Sequence, residues 1–566
     1  MRWARRHPHL DDVSRGRLAA LGRRSQQVLP LAGVTGAITG LVVAGFERIT
    51  ADALLGPLTR QPLWVQVVAP GIGLAIATLC LRAARPPASS ATADEYIHSF
   101  HDTAGELALR PVPYRIAAAI ATLGFGSPLG YEGPSIYAGA AIGTALQGRL
   151  RRWFGPDDAK VLLVAGAAAG VAAIFKAPVT GLVFALEVPY QEDLARRMLL
   201  PAAISAAASY VTFAAFAGTD PILPIAGQPP FNLLDLGGAA VVGLAAGIGA
   251  RLFVAVIRRA KSLAARGHPV VRVLVGGSVL GATVLAAHGL DDAVLALGPG
   301  YRALDWALDP HHSLFAIAAL AGLRLAGTAG SVGGGGTGGL FIPLVIQGAL
   351  VGRAVGGAFE VHTSTLFPVV GMAAFLGAGY RVPLAAVVFV AEFTGRPGFV
   401  VPGLIAAVVA QLVMGTASIS PYQMAGRVGH LERRLRLPLS AVVNTESRPT
   451  PPDATLVDVF WQHLVGARQQ SVAVVDGSTY LGIVRAEDIG AVAQDEWATT
   501  HARDVMRTDI PVADPTWLLS DAIRALEACG ADRLPVCNDD MFVGVITAND
   551  LVELDEVLDR TDPADG

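Results

Sequence analysis

Glu132 is a carboxylate in a place where a carboxylate is expensive. It stands in an otherwise uncharged, glycine-rich run, Gly124-Phe125-Gly126-Ser127-Pro128-Leu129-Gly130-Tyr131-Glu132-Gly133-Pro134, just before a helical stretch from Ser135 to Leu150. A second run of the same character, Gly333-Gly334-Gly335-Gly336-Thr337-Gly338-Gly339-Leu340-Phe341-Ile342-Pro343, precedes a helical stretch from Leu344 to Val355. Glycine lets backbone come close to a ligand, and a helix start offers unpaired N–H groups and the positive end of its dipole. Two such starts aimed at one point would hold a small anion without any full positive charge, so the ion could leave as easily as it arrived. Glu132 would then be a tethered anion beside a site for free anions. Ionised, it occupies the site; protonated or swung away, it lets an ion pass. An acid in an apolar segment is by default a functional hypothesis. The plainer alternatives are glycine-mediated helix packing and an acid that only caps its own helix.

The elements that must position these runs are repeated. Phe175-Lys176-Ala177-Pro178-Val179-Thr180-Gly181-Leu182-Val183-Phe184-Ala185-Leu186-Glu187 recurs 205 positions later as Tyr380-Arg381-Val382-Pro383-Leu384-Ala385-Ala386-Val387-Val388-Phe389-Val390-Ala391-Glu392 (178 to 383, 187 to 392). Gly166 and Gly371 agree in that register. Apolar residues make up 52% of the chain, only 16% are charged, and mean hydropathy is +0.50, which excludes an ordinary soluble protein. Its 64 glycines suit membrane helices that pack backbone to backbone. A duplicated half in such a chain points to a transport protein with its substrate site between the repeats. Net charge is −3, so no global field explains partner choice. Cys80, Cys529 and Cys537 cannot build a disulfide framework.

Residues 1–27 read as a basic, cytoplasmic N-terminal tail, followed by a retained first helix from about Val28 to Phe46. Apolar segments continue to about 418, several shorter than the roughly 20 residues of a perpendicular span. Short, Gly- or Pro-broken segments are tolerated at membrane depth only where protein buries them or they line a cavity. The expected architecture is an all-helical membrane bundle with repeat halves at roughly 28–217 and 236–428. After a basic segment near Arg427 to Arg436 the composition turns soluble. His311 and His312 fall between apolar segments, and their spacing suggests no metal site.

The motifs resemble the CLC family of chloride channels and chloride/proton exchangers over roughly residues 28–428. Gly130-Tyr131-Glu132-Gly133-Pro134 is similar to the family's G-[K/R]-E-G-P, whose glutamate is the gate. Gly339-Leu340-Phe341-Ile342-Pro343 is similar to its G-x-F-x-P, whose amides coordinate chloride. Tyr422, in Ser420-Pro421-Tyr422-Gln423, sits where the family has a chloride-coordinating tyrosine. The resemblance implies two inverted repeats, a homodimer in the cell membrane, and an anion site made by Gly130, Tyr131, Gly133, Pro134, Gly339, Leu340, Phe341, Ile342 and Tyr422. The chain departs from the family in three places. Ala91-Thr92-Ala93-Asp94-Glu95 replaces G-S-G-I-P; Thr92 can stand in for the serine, but the two acids work against anion selectivity. Tyr131 replaces a basic residue. Val188 stands where the exchangers carry a proton-relaying glutamate after Glu187, which leans the reading towards passive chloride conduction. Glu187 and Glu392, occurring in both halves, read as structural acids bonded to neighbouring backbone, and Arg324 as a helix-end cation reaching for the interface.

The tail carries its own repeat: Leu481-Gly482-Ile483-Val484-Arg485-Ala486-Glu487-Asp488 parallels Val543-Gly544-Val545-Ile546-Thr547-Ala548-Asn549-Asp550. This resembles paired cytoplasmic α/β CBS domains, at 440–495 and 500–560. The resemblance implies adenine nucleotide as an optional regulator, bound through Thr547, Asp550 and Asp488, with no required cofactor; a purely structural dimerisation role is the competing reading. Two other functions stay open: a proton-coupled chloride or fluoride exchanger, and a non-transporting membrane sensor that signals through its CBS tail. No nucleophile–base pair, phosphate-binding loop or zinc spacing argues for an enzyme.

Overall fold

The computed structural model describes residues 8–102, 107–150, 160–225, 232–358, 365–426, 437–445, 447–467, 469–531 and 533–547, the side chains of 8–27 excepted. Two compact units divide the chain after Gly426. The first unit is helical. Its first half runs α1 (Pro8–Glu47), α2 (Leu63–Ala83), α3 (Ala93–His101), α4 (Val112–Gly124), α5 (Glu132–Arg149), α6 (Val161–Ile174), α7 (Pro178–Glu187) and α8 (Leu199–Ala217). Its second half runs α9 (Leu233–Arg266), α10 (Pro269–Leu290), α11 (Tyr301–Leu308), α12 (Leu314–Gly333), α13 (Phe341–Ala358), α14 (Leu366–Tyr380), α15 (Pro383–Thr394) and α16 (Val400–Met414). Among the described residues, eight helical segments are long and apolar enough to cross a membrane. The basic segment expected as a separate tail is helical from Pro8 and continuous with the first span. Extending a formed helix costs less than nucleating a new one, so the span carries its polar flank with it.

The packing repeats as the sequence does. α5 packs on α6 and α13 on α14, while α1 packs on α8 and α9 on α16. Two of the close crossings, one in each half, are glycine on glycine. A Cβ on Gly139 would run into the Gly166 carbonyl and one on Gly166 into the Gly139 carbonyl, and Gly348 and Gly371 meet in the same way. No larger residue allows that approach, which is why small residues mark these helices.

The halves are inverted, and one pair of contacts shows it. Glu187, at the end of α7, accepts hydrogen bonds from the Leu384 and Ala385 N–H groups at the start of α15, at 3.1 and 2.8 Å. Glu392, near the end of α15, accepts from the Val179 and Thr180 N–H groups at the start of α7, at 3.0 and 2.7 Å, and from the Thr180 hydroxyl at 2.6 Å. Each helix ends where the other begins, so the two run antiparallel. The repeated acids are structural, but their partners lie in the opposite half rather than nearby in sequence. Pro178 and Pro383 at the helix starts lack an N–H of their own, which leaves the next amides for the carboxylate.

In the second unit β1 (Ser471–Asp476), β2 (Thr479–Arg485), β3 (Arg533–Asn538) and β4 (Met541–Thr547) form an antiparallel sheet in the order β1-β2-β4-β3. The two hairpins share one burial pattern and each bulges at the same place, Val474/Val475 and Val536/Cys537. The amphipathic helix Leu519–Cys529 buries Leu519, Ala522 and Leu526 against this sheet's core.

Glu392→Ala and Glu187→Ala each strand two helix-start amides. Each substitution is expected to cost about 1–3 kcal/mol, read as a lowered thermal midpoint in detergent, with the glutamine variants losing less because they keep an acceptor.

Candidate functional site

The two glycine-rich runs meet. The Gly130 N–H donates to the Gly339 carbonyl at 2.9 Å and the Gly339 N–H donates to the Gly130 carbonyl at 2.8 Å, an isolated antiparallel bridge between the halves. Two residues past each glycine a helix starts, α5 at Glu132 and α13 at Phe341. The bridge therefore sets two helix starts side by side at the repeat boundary. Gly130, Glu132 and Pro134 correspond to Gly339, Phe341 and Pro343 at an offset of 209 rather than 205, because the α5–α6 connection (150–160) is longer than its counterpart (359–365).

The Glu132 side chain lies across this junction. Its Oε1 accepts the Phe341 N–H at 2.6 Å, and its Oε2 has no hydrogen-bond partner among the described residues although the residue is only 1% exposed. Gly130 and Gly339 wall the carboxylate; a Cβ on either would collide with it. The acid thus seats on the start of the opposite half's helix. A charge-assisted bond of this kind is the interaction a free anion would make in the same place. Pro134, Leu340 and Ile342 are buried around the junction, as is Gly133. Phe341 is held by aromatic rings from both halves, Phe175 at 4.6 Å, Phe184 at 5.5 Å and Phe389 at 4.8 Å between centroids.

Thr92 is buried and precedes α3, and its hydroxyl abuts Gly133, where a Cβ would lie 2.5 Å from Oγ1. The structure therefore brings a third helix start to the junction. A cavity of about 440 Å³ touches Thr92, Gly339, Leu340, Tyr380 and Tyr422. Tyr422 forms the rim: it is 45% exposed and meets the His98 ring edge-on at 5.0 Å. Tyr380 is buried deeper, edge-on to Phe184 at 5.7 Å. Its place in the repeat gave it an aromatic role in sequence, with no sign that it lines the cavity.

The two acids after Thr92 are matched. Asp94 pairs with Lys261 at 2.5 Å, and Glu95 pairs with Arg115 at 3.1 Å. Their charge is answered by cations that sequence spacing could not connect to them. Tyr131 does not line the Thr92 cavity; it is buried edge-on to Phe46 of α1 at 6.1 Å. A second cavity, of about 500 Å³, is lined by Glu47, Arg48, Asp52, Lys176, Asp220 and Tyr301. The end of α1 contributes to this one, whereas Leu81 at the end of α2 lines the first.

Arg324 is not an interface-seeking cation. It is 2% exposed and donates to the Leu295, Gly298 and Pro299 carbonyls at 3.4, 3.1 and 2.6 Å. Carbonyls of the 295–299 segment take its Nη1 and Nη2 hydrogen bonds in place of water. Val188 is buried, and its carbonyl accepts from Gln423 Nε2 at 2.8 Å. In the second unit, Asp488 Oδ2 accepts from the Arg485 N–H at 3.0 Å, so it caps its own short helix, and Arg485 pairs with Glu487 at 2.7 Å. Thr547 ends β4, and Asp550 lies outside the described residues. No cluster of metal-ligating side chains occurs among the described residues.

A family model described as "Voltage gated chloride channel" matches residues 72–415, and one described as "CBS domain" matches 502–556. A putative chloride channel protein ClcB-like of Ralstonia nicotianae is 26% identical over 441 residues, 73% of this chain and 99% of that protein. An H(+)/Cl(−) exchange transporter ClcA of Citrobacter koseri is 27% identical, covering 68% of this chain and 85% of that protein. Among solved structures, a CLC-type fluoride/proton antiporter superposes with a TM-score of 0.61 at 21% identity, covering 71% of this chain and 98% of that one. A eukaryotic CLC transporter superposes with a TM-score of 0.59 at 18% identity over 94% of this chain and 98% of that one. With its inverted helical repeats, its junction of helix starts and its C-terminal sheet domain, the chain belongs to the voltage-gated chloride channel family, CLC, and carries a CBS domain.

Proposed function

We propose that this anion-transporting membrane protein conducts chloride, or a similar small anion, passively between the two cavities, with Glu132 as the gate. One observation carries the reading: the Glu132 carboxylate accepts the Phe341 N–H at 2.6 Å, at a helix start walled by Gly130 and Gly339. A mobile anion and this carboxylate compete for one set of amides. The Tyr131, Gly133, Leu340, Phe341 and Ile342 amides at the two helix starts supply the donors; Gly130 and Gly339, whose N–H groups pair with each other's carbonyls, and Pro134, which has no N–H, wall the cradle, with the Thr92 hydroxyl beside it and Tyr422 at the rim. Val188 supports passive flow, since an apolar side chain relays no proton. The basic N-terminal flank supports an orientation in the cell membrane with the N-terminus and the CBS region cytoplasmic. We place the protein there as a homodimer, with adenine nucleotide as an optional ligand of the CBS region.

Two observations favour a second reading, proton-coupled exchange of chloride or fluoride. The relative from Citrobacter koseri is named an exchanger. His101, a titratable group, donates from Nε2 to the carbonyl of Pro189, the residue after Val188, at 2.7 Å. Anion and proton fluxes measured together in proteoliposomes decide between the readings: passive conduction moves chloride with no linked pH change.

Protonation removes the charge that holds Glu132 on the Phe341 amide, so flux is expected to rise as pH falls. Glu132→Gln lacks that charge at every pH. A charged hydrogen bond of about 1.5–3 kcal/mol keeps the closed form roughly ten- to a hundredfold ahead, and the glutamine variant should gain flux on that scale and lose the pH response. Unchanged flux and pH profile in Glu132→Gln would falsify the gate. Gly339→Ala should displace the carboxylate and give the same flattened pH profile, whereas Gly148→Ala, whose Cβ would have nothing within 4 Å, should behave as wild type.

A further inference from the structure

The Thr92 cavity contains a charged pair that the gate does not use. Lys261, near the end of α9, places Nζ 2.5 Å from Asp94 Oδ2 and 3.4 Å from the Ile419 carbonyl. Asp94 belongs to the first half of the repeat and Lys261 to the second, so the pair spans the boundary that the pathway follows. Both side chains line the cavity, and both are partly wet, 30% exposed for Lys261 and 15% for Asp94. Arg272 lines the same cavity; its Nη1 donates to the Ala264 carbonyl at 2.8 Å, and its buried Nε has no partner. Glu95, the other acid of this segment, is held by Arg115 and does not line the cavity. The mouth therefore has two cations and one carboxylate, and the carboxylate sits on one of the cations.

Because both members line the cavity, a mobile anion can reach the ammonium that Asp94 holds. Such an exchange puts one negative partner in the place of another and leaves Lys261 paired. The arrangement repeats the logic of the central junction with a different donor. There a tethered acid competes with a free anion for backbone amides, and here one competes for a lysine.

We propose that Lys261 is an anion-docking residue at this mouth and that Asp94 is its intramolecular competitor, so that the pair sets the chloride concentration at which the pathway loads. The proposal deepens the pathway reading above and rests on it. Asp94 occupies a position where the related motif has an apolar residue, so the competition arises from this chain's own substitution and its own lysine.

The test is initial chloride flux from proteoliposomes against chloride concentration, with gluconate replacing chloride at constant ionic strength. Asp94→Asn should free Lys261 and lower the half-saturating chloride concentration by roughly fivefold. Lys261→Gln should raise it by a similar factor, and Lys261→Arg should shift it less. In the double variant Asp94→Asn/Lys261→Gln, the asparagine should confer no further gain, because its effect runs through the lysine; this variant also leaves no unpaired charge to unfold the protein. Arg266→Gln, a charge removed from the same helix outside the cavity, serves as the control and should match wild type. Half-saturation within twofold of wild type in both single variants, with flux intact and the proteins monodisperse, overturns the proposal. Additive effects in the double variant overturn it too. Absence of chloride flux from wild type overturns the pathway reading and this inference together. An unaltered Glu132→Gln alongside the expected Asp94 and Lys261 shifts removes the central gate and supports the docking pair.

Discussion

Everything in the membrane unit is arranged around two helix starts that must face each other inside a low-dielectric bundle. Such ends present unpaired N–H groups, and in an apolar surrounding each must be answered. The chain answers them with negative charge from the other half. Glu132 answers the start of α13, Glu187 that of α15 and Glu392 that of α7. The three contacts look alike but differ in how firmly the acid is held. Both oxygens of Glu187 and of Glu392 are engaged, whereas one oxygen of Glu132 has no hydrogen-bond partner among the described residues. The same chemistry caps two helix starts through both carboxylate oxygens and a third through one.

Glycine makes this arrangement physically available. The Gly130–Gly339 bridge and the Gly139–Gly166 and Gly348–Gly371 crossings bring backbone to backbone at distances no side chain permits. The crossings fix the angle at which α5 and α13 enter the junction. The bridge fixes their separation, and the aromatic rings around Phe341 keep its amide from turning away.

Much of this was legible in the residues. The repeat, the oddity of an acid at Glu132 and the two glycine runs could be read directly, because an acid and a glycine cluster are anomalous in any apolar segment, and the structure buries the first and joins the second. The register was only half legible. At an offset of 205 the caps align, but the different α5–α6 and α13–α14 connections shift the upstream helices to 209, which hides the correspondence between Glu132 and Phe341. Charged residues were the least legible. Asp94 and Glu95 read as liabilities for an anion pathway until Lys261 and Arg115 are placed beside them. Arg324 read as a surface-seeking cation until the carbonyls that hold its Nη1 and Nη2 are seen.

By itself the sequence determined the class of the protein: composition, repeat and glycine pattern require a duplicated helical membrane bundle with an acid at the repeat boundary. These are properties of local segments, set by apolar period and by which residues can start or break a helix. The tertiary structure decided which helix start each carboxylate answers, which cation each acid meets, and which tyrosines share a cavity with Thr92. Those pairings join residues from opposite halves, as far apart as Thr180 and Glu392 or Asp94 and Lys261. Electrostatic partnership depends on distance in space, which a one-dimensional register does not contain until the fold closes it.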